Sequence, residues 1–279
     1  MLEPKQKRIL LIGGHELGCL CLEHLVKNKY QVVLCIVRKD DDGKDNIFPS
    51  LLKLAKRHKI KSIKPQDINE PDILKKVEAA KTDIVFSIHN SAVFYDKWLS
   101  LFEKKLGIVN AHHGPLPRYG GFWPEMWAIW NEEKDFGVTL HYVDRGVDSG
   151  NIIGQYPVSI SNTDTRKTLY EKCTQTTFQL FKDKLDILLA GKIKGQKQDA
   201  SKRTYYKREL PNGGFVDFNW TQEKIKRFYR AVSFHPFVGP KIQIGDRIIS
   251  SVDADLPFFK PAMIQSLEYQ TSFKQRRDS

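Results

Sequence analysis

The sequence predicts an α/β fold, with a mostly parallel β-sheet, helices on both faces of that sheet and a small mixed C-terminal region. Two observations lead to this prediction. Short apolar runs alternate with helical leucine spacing through the first 110 residues, and a glycine turn follows the first run. Strands that alternate with helices form βαβ units, which build parallel sheets. The expected arrangement is therefore Rossmann-like.

Short apolar runs predict the strands of the first half of the chain. They occupy residues 8–12, 31–37, 83–88 and 107–110. Leucine spacing and amphipathic patterns predict the helices between these strands. The helices are expected at residues 17–25, 50–58 and 72–80, with a polar loop at residues 38–46.

The pattern changes from Gly137 onward, where apolar and polar side chains alternate as in a half-exposed strand. Further strands are predicted at residues 151–158, 241–245 and 247–252, and helices at residues 165–189 and 222–231. A basic, glycine-containing connection at residues 191–207 separates the two helices. We therefore predict a main domain over residues 1–200 and a small subdomain with a tail over residues 201–279.

Composition narrows the class of protein. No apolar run approaches the ~20 residues that span a bilayer, and the polar start lacks the pattern of a signal peptide. The four cysteines lack the spacing of zinc ligands, which indicates buried free thiols in a reducing compartment. We therefore predict a cytoplasmic protein with no membrane partner and no metal.

The net charge of +12 is unevenly distributed. Residues 1–150 carry 23 basic and 20 acidic side chains, whereas residues 151–279 carry 22 and 13. Such an excess can attract the phosphates of a nucleotide, a nucleic acid or a membrane surface. The alternative is a lysine-rich and well-solvated surface.

The glycine turn at residues 13–18 (GGHELG) raises the possibility of a dinucleotide site. Its spacing differs from G-x-G-x-x-G, so the pattern does not favour an NAD site.

Three polar residues form the candidate site. Asn110 and His112 follow a buried strand and are expected at the carboxyl end of the sheet, where open α/β folds bind ligands. Asp148 lies in a glycine-flanked acidic turn. Each residue alone also has a structural interpretation, as a loop cap, a satisfied histidine or a turn residue.

Together the three residues suit acyl transfer to an amine. An amide can donate a hydrogen bond to the oxygen that gains charge in a tetrahedral intermediate. An imidazole can move the proton that the amine loses. A carboxylate can orient the imidazole and stabilise its charged form. An amine that attacks directly needs no serine or cysteine nucleophile.

The stretch VNAHHGPLPRYGG, followed by GVTLHYVDRGVDSGNII, resembles the folate-dependent formyltransferase family. That family is marked by N-x-H, a proline-containing loop and an aspartate in a D-x-G-x-D-x-G turn. The resemblance covers about residues 8–189 and implies that Asn110, His112 and Asp148 are catalytic, the last two separated by 36 positions.

The resemblance also implies 10-formyltetrahydrofolate as the donor co-substrate, with no metal. Its pterin is expected between two segments that contact it mostly through backbone groups. The segments are Ile88, His89 and Asn90, and Tyr142, Val143 and Asp144. We expect His113 to be a loop residue and His141 to be structural, and we assign no role to the unusual His89–Asn90 pair.

Members of the family formylate a purine precursor, initiator methionyl-tRNA or a nucleotide-linked amino sugar. Residues 205–242 are more similar to the appended region of sugar N-formyltransferases, with an aromatic-rich helix and an F-x-P-F-x-G-like turn. The alternative is that these aromatic residues only anchor a small satellite core. We therefore predict a nucleotide-linked amino sugar as the acceptor, and folate and this sugar as small-molecule partners.

Three residues of the loop that follows His112 are expected to contact the acceptor, namely Arg118, Tyr119 and Trp123. Trp127 lies in the helix after this loop and is expected to be a core residue. Many relatives have an arginine where this chain has Gly120. This difference affects the assignment of the acceptor more than the assignment of the reaction. Two alternatives stay open: formylation of methionyl-tRNA or another amine, and a non-catalytic folate-binding protein. Exposed C-terminal aromatic residues would permit a homodimer.

Overall fold

The computed structural model describes residues 3–234 and 239–250. The chain divides between Glu209 and Leu210 into two compact units. The middle of the predicted F-x-P-F-x-G-like turn and the tail from residue 257 lie outside the described residues.

The larger unit is built on a seven-stranded sheet. The strands of this unit are β1 (Arg8–Gly13), β2 (Gln31–Val37), β3 (Ser62–Ile63), β4 (Ile84–Ile88), β5 (Ile108–His112), β6 (Gly120–Gly121), β7 (Asp135–Tyr142), β8 (Ile152–Ser159) and β9 (Tyr205–Tyr206). The sheet order is β3-β2-β1-β4-β5-β7-β8, and β6 pairs separately with β9. The first five strands of the sheet run parallel, and β7 and β8 are antiparallel. The predicted mostly parallel sheet is confirmed.

Helices connect these strands. They are α1 (His15–Lys27), α2 (Leu51–Arg57), α3 (Pro71–Ala79), α4 (Asp96–Phe102), α5 (Pro124–Trp130) and α6 (Arg166–Leu189). Side-chain hydrogen bonds fix where two of these helices begin. The Ser50 hydroxyl accepts from the Lys53 N–H at the start of α2, and Thr165 and Thr168 form a capping box at the start of α6.

Apolar side chains from both faces of the sheet form the core. On one face Leu10 and Ile12 of β1 pack in a cluster with Trp98 and Phe102 of α4. Phe86 of β4 meets Phe181 of α6 edge to face at 5.0 Å between ring centroids. Alternate side chains of a strand point to opposite faces, so helices cover both faces of the sheet, as predicted.

The close approach of β1 to β4 requires a glycine at the end of β1. Gly13 has a φ of +143°, and a Cβ there would lie 1.6 Å from the Ile88 carbonyl oxygen. Gly13 of the glycine turn therefore allows β1 and β4 to pack closely in the sheet.

Strand β7 differs from its predicted half-exposed pattern, because residues 136–141 are all buried. Helix α6 packs on β7 and β8. The loop after β5 also covers β7: the Leu116 N–H donates to Thr139 Oγ1, and the Tyr119 ring meets Phe136. Polar residues of β7 are therefore interior groups with partners.

The smaller unit begins at Leu210. It contains α7 (Gln222–Val232) and an antiparallel hairpin of β10 (Lys241–Ile244) and β11 (Arg247–Ser250). Trp220 meets the buried Phe228 edge to face at 5.2 Å, so both aromatic residues contribute to a satellite core. In the described part of the chain, no helix combines the length and apolar character needed to cross a membrane.

Candidate active site

The site lies where β4 and β5 end. Asn110 and His112 are two residues apart on β5 and therefore point to the same side of the sheet. The antiparallel pairing of β5 with β7 sets Asn110 opposite His141. The turn between β7 and β8 carries Asp148 back to these strands, so the structure brings the three predicted catalytic residues together.

Asn110 is held in one orientation. Its Oδ1 accepts from the Ser87 hydroxyl at 2.9 Å, and its Nδ2 lies 3.0 Å from His141 Nε2. An amide nitrogen carries two hydrogens, so a second N–H stays available for a ligand. The orientation therefore leaves a donor where a developing negative charge can use it.

His141 belongs to the site, although the sequence predicted only a structural role. Its Nδ1 lies 2.8 Å from the Tyr142 carbonyl oxygen, which can only accept, so Nδ1 carries the proton. In the neutral ring Nε2 is then the acceptor for Asn110, and it lies 3.5 Å from Asp148 Oδ1. The strand register that sets His141 opposite Asn110 could not be read from the sequence.

His112 is oriented by the loop that follows it. Its Nε2 donates to the Tyr119 carbonyl oxygen at 2.8 Å. Its Nδ1 faces Asp148 Oδ2 at 3.7 Å, which is too long for a hydrogen bond but close enough for charge attraction once the ring is protonated. In the neutral imidazole Nδ1 is therefore the atom that can accept a proton.

Asp148 is a largely buried carboxylate, with its side chain 11% exposed, in a left-handed backbone conformation with a φ of +53°. Its Oδ2 accepts from the Gly121 N–H at 2.8 Å. Burial alone would raise its pKa, but His112, His141 and the Gly121 hydrogen bond together hold the pKa well below its usual range. The group is therefore ionised at neutral pH.

A second polar cluster lies beside the first and includes His89 and His113, neither of which has a predicted catalytic role. The Glu125 carboxylate can only accept, so His113 Nδ1 donates to it at 2.5 Å. In the neutral ring His113 Nε2 then accepts from His89 Nε2, and His89 Nδ1 accepts from the Tyr170 hydroxyl, both at 3.2 Å. One consistent set of tautomers therefore gives each of these hydrogen bonds one donor and one acceptor.

Burial dominates the electrostatics of this second cluster. Burial, and then the neighbouring His113, His15 and Arg38, lower the pKa of His89 far below its usual value. Burial would raise the pKa of Glu125, but its hydrogen bond to His113 contributes to a net lowering. His89 is therefore neutral and Glu125 ionised. Glu125 and Tyr170 are distant in sequence, and no local pattern pointed to them.

The predicted folate residues fall into two groups. A cleft of ≈590 Å³ is lined by Tyr142, Val143 and Asp144 together with residues of α4 and residues 191, 193 and 194. Ile88, His89 and Asn90 do not line it. Ile88 is fully buried, and the Asn90 side chain bonds the Ala92 backbone.

The predicted acceptor residues have different environments. Arg118 is half-exposed and lies 3.6 Å from Glu133. Trp123 has a φ of +54°, with the Arg166 guanidinium 5.0 Å from its ring centroid. Tyr119 is only 3% exposed, and its hydroxyl donates to Glu133. The structure therefore leaves the Tyr119 ring no open face for a substrate.

Trp127 is not the core residue that the sequence predicted. It is partly exposed and stacks on Tyr206 at 4.6 Å between ring centroids. Helix α5 has only seven residues, and Trp127 lies on the side that packs against β9. Among residues 3–234 and 239–250, no three His, Cys, Asp or Glu side chains are arranged to hold a metal ion.

Comparisons with known proteins identify relatives of this chain. The model of the family described as formyl transferase matches residues 7–185. The chain is 30% identical over 227 residues to the bifunctional polymyxin resistance protein ArnA of Wigglesworthia glossinidia brevipalpis. That alignment covers 81% of this chain and 34% of the relative, so the chain spans about a third of that protein's length.

Two solved structures are similar over most of their length. WlaRD, a sugar 3N-formyl transferase crystallised with dTDP and 5-N-formyl-THF, has a TM-score of 0.69 and 25% identity over 84% of this chain and 82% of its own. An N-formyltransferase from Helicobacter canadensis, in complex with folinic acid and dTDP-3-aminofucose, has a TM-score of 0.67 and 25% identity. The match covers 86% of this chain and 85% of that protein.

The family model covers well over half of the chain and includes Asn110, His112 and Asp148, so the resemblance noted in the sequence is confirmed. The chain belongs to the formyl transferase family.

Proposed function

We propose that this protein transfers a formyl group from 10-formyltetrahydrofolate to the amine of a nucleotide-linked amino sugar. The observation that carries the proposal is the cluster of Asn110, His112 and Asp148, oriented at the end of β5 in a chain of this family. The relatives from H. canadensis and WlaRD, which bind folate compounds with dTDP or a dTDP-amino sugar, support this donor and this class of acceptor.

The mechanism begins with attack of the neutral sugar amine on the formyl carbon. A new C–N bond forms, and the formyl oxygen becomes an oxyanion. The second Nδ2 hydrogen of Asn110 is the donor available to that oxyanion. Nδ1 of His112 accepts the amine proton, since Nε2 already donates to Tyr119. Asp148 stabilises the resulting imidazolium.

The intermediate then collapses. The bond between the formyl carbon and N10 of the folate breaks, and the proton held by His112, or relayed through Asp148 or water, passes to N10. Tetrahydrofolate leaves, and the sugar keeps the formamide. His141 keeps Asn110 in place during these steps, because its protonated Nδ1 is anchored on the Tyr142 carbonyl oxygen.

We propose that the folate binds between the segment Ile88, His89 and Asn90 and the segment Tyr142, Val143 and Asp144, the second of which lines the cleft beside α4. The apolar side chains of Leu99, Phe102 and Ile108 line this cleft together with Val143, which suits a flat heterocycle that backbone groups orient. The location in the cytoplasm, the homodimer and the contacts of Arg118 and Trp123 with the sugar stay predictions of the sequence.

A coupled absorbance assay for tetrahydrofolate release tests the function. The protein is mixed with 10-formyltetrahydrofolate and either a panel of amino-sugar nucleotides or aminoacylated initiator tRNA, with His112→Asn as the control. We expect turnover with one sugar nucleotide, lost in the variant. Turnover with tRNA alone would keep the chemistry and overturn the acceptor. Inactivity throughout, with folate binding seen by calorimetry, would favour a non-catalytic folate-binding protein.

A further inference from the structure

The chain between α6 and the smaller unit, residues 190–209, crosses the candidate active site. We call it the connecting segment. It lies beyond residues 7–185, which the family model matches, and it belongs to the larger compact unit. It contacts both loops that carry site residues: the turn of Asp148 and the loop of residues 119–122.

The first contact holds the turn of Asp148. Gln198 Nε2 donates to the carbonyl oxygens of Asp148 and Gly150 at 2.9 and 2.7 Å. Arg203 donates to the Val147 carbonyl oxygen at 2.9 Å. Asp148 has a left-handed backbone, which is uncommon for residues other than glycine. The connecting segment supplies these hydrogen bonds.

The second contact holds the loop after His112. Thr204 Oγ1 accepts from the Tyr119 N–H at 2.8 Å, and the Thr204 carbonyl oxygen accepts from the Gly120 N–H at 3.0 Å. The approach is closest at Gly121, which has a φ of +94° and where a Cβ would lie 2.2 Å from the Tyr206 carbonyl oxygen. The loop is therefore fixed to the connecting segment at successive residues.

The same stretch of backbone, residues 119–121, orients the catalytic groups through neighbouring atoms. The Tyr119 carbonyl oxygen accepts from His112 Nε2, and the Gly121 N–H donates to Asp148 Oδ2. We infer that the connecting segment positions His112 and Asp148 for the reaction, with Thr204 and Gln198 as its positioning residues. This inference rests on the proposed function.

Thr204→Val tests it, because valine has the shape of threonine without the acceptor oxygen, and Thr204→Ser restores the hydroxyl. We expect kcat to fall about 10- to 100-fold in Thr204→Val, with KM for both substrates within about threefold of wild type. Thr204→Ser is expected to recover most of kcat. Lys202→Ala, an exposed neighbour in the same segment, is the matched control and should match wild type.

A second measurement does not depend on the acceptor. The ¹⁵N NMR signal of His112 Nε2, assigned with His112→Asn, reports its hydrogen bond to Tyr119. We expect the signal to shift in Thr204→Val and to return in Thr204→Ser. If wild type turned over no acceptor, the proposed function would fail, while the NMR comparison would still test the positioning.

Gln198→Leu keeps the test decisive if Thr204→Val does not fold. It removes the donors to the Asp148 and Gly150 carbonyl oxygens, and thermal melting checks that the variant is folded. We expect a similar loss of kcat with KM preserved. A folded Thr204→Val or Gln198→Leu protein with wild-type kcat and an unchanged His112 signal would show that the connecting segment only links the two units.

Discussion

At the scale of single residues, the site depends on tautomers that backbone carbonyl groups fix. Tyr119 holds the proton of His112 on Nε2, and Tyr142 holds that of His141 on Nδ1. These assignments follow from the partners, since a carbonyl oxygen can only accept. Asn110, His112 and Asp148 could be proposed from the sequence because their side chains together suit acyl transfer and their spacing resembles the family motif.

Other residues of the site could not be identified in this way. His141 enters through the register of two antiparallel strands, and Tyr170 reaches His89 from a helix 81 residues away. Tyr119 lies where the sequence placed an acceptor contact, but its ring is buried. Long-range contacts of this kind leave no local pattern, so they require the structure.

Asp148→Asn tests the role of the carboxylate in catalysis. Asparagine keeps the size of the side chain but cannot stabilise an imidazolium at His112. We expect kcat to fall by about 10²–10⁴-fold, with KM for the folate changed little, as measured by steady-state kinetics. A variant with wild-type kcat would contradict the assigned role.

His15 makes the folded state sensitive to acid. Burial, and then Arg38, lower its pKa to about 4 in the folded protein, against about 6.5 when unfolded. The folded state therefore resists protonation, and the stability that neutral His15 contributes is present above pH ~6.5 and lost as the pH falls toward 4. By proton linkage, the free energy of unfolding at pH 4 is lower by about 1–3 kcal/mol than at neutral pH.

Urea unfolding between pH 7 and pH 4 measures this effect. His15→Asn is the suitable variant, because asparagine tolerates the φ of +57° at this position and does not titrate in this range. Its free energy of unfolding should depend less steeply on pH than that of wild type. Equal slopes for the two proteins would contradict the assignment.

At the scale of elements, the long strands and helices could be predicted because each shows a clear period and a chemical start. Strand β2 coincides with its prediction, and α6 begins one residue after its Thr165 cap. The two-residue strands β3, β6 and β9 are too short to show any period. The burial of β7 could not be predicted, because it depends on a loop that folds back over the strand.

The cap of α6 supplies a prediction at this scale. The Thr165 hydroxyl accepts from the Thr168 N–H and satisfies one of the unpaired donors of the first turn. We expect Thr165→Ala to lower the free energy of unfolding by about 0.5–2 kcal/mol, measured by urea denaturation. Thr165→Ser keeps the oxygen and should lose much less. Equal losses in both variants would contradict capping.

At the scale of the whole molecule, the positive charge is concentrated in residues 151–279, which carry 22 basic and 13 acidic side chains. That excess suits either the pyrophosphate of a nucleotide sugar or the backbone of tRNA. Salt dependence distinguishes them, because each neutralised phosphate releases counterions.

We expect KM for the sugar nucleotide to change less than about tenfold between 50 and 200 mM salt. A protein that contacts 6–10 phosphates of a nucleic acid would lose roughly 10³–10⁵-fold in affinity over the same range. Steady-state kinetics in a salt series gives the answer. A loss of the larger size would favour the tRNA alternative.

The central claim is that the cluster of Asn110, His112 and Asp148 transfers a formyl group to a sugar amine. The most direct test is mass spectrometry of the sugar nucleotide after incubation with 10-formyltetrahydrofolate carrying a ¹³C-labelled formyl group. We predict a product in which one labelled formyl group replaces one amine hydrogen, formed by wild type and almost absent with His112→Asn. Labelled product formed equally fast by both proteins, or by neither with any amino-sugar nucleotide, would contradict the claim.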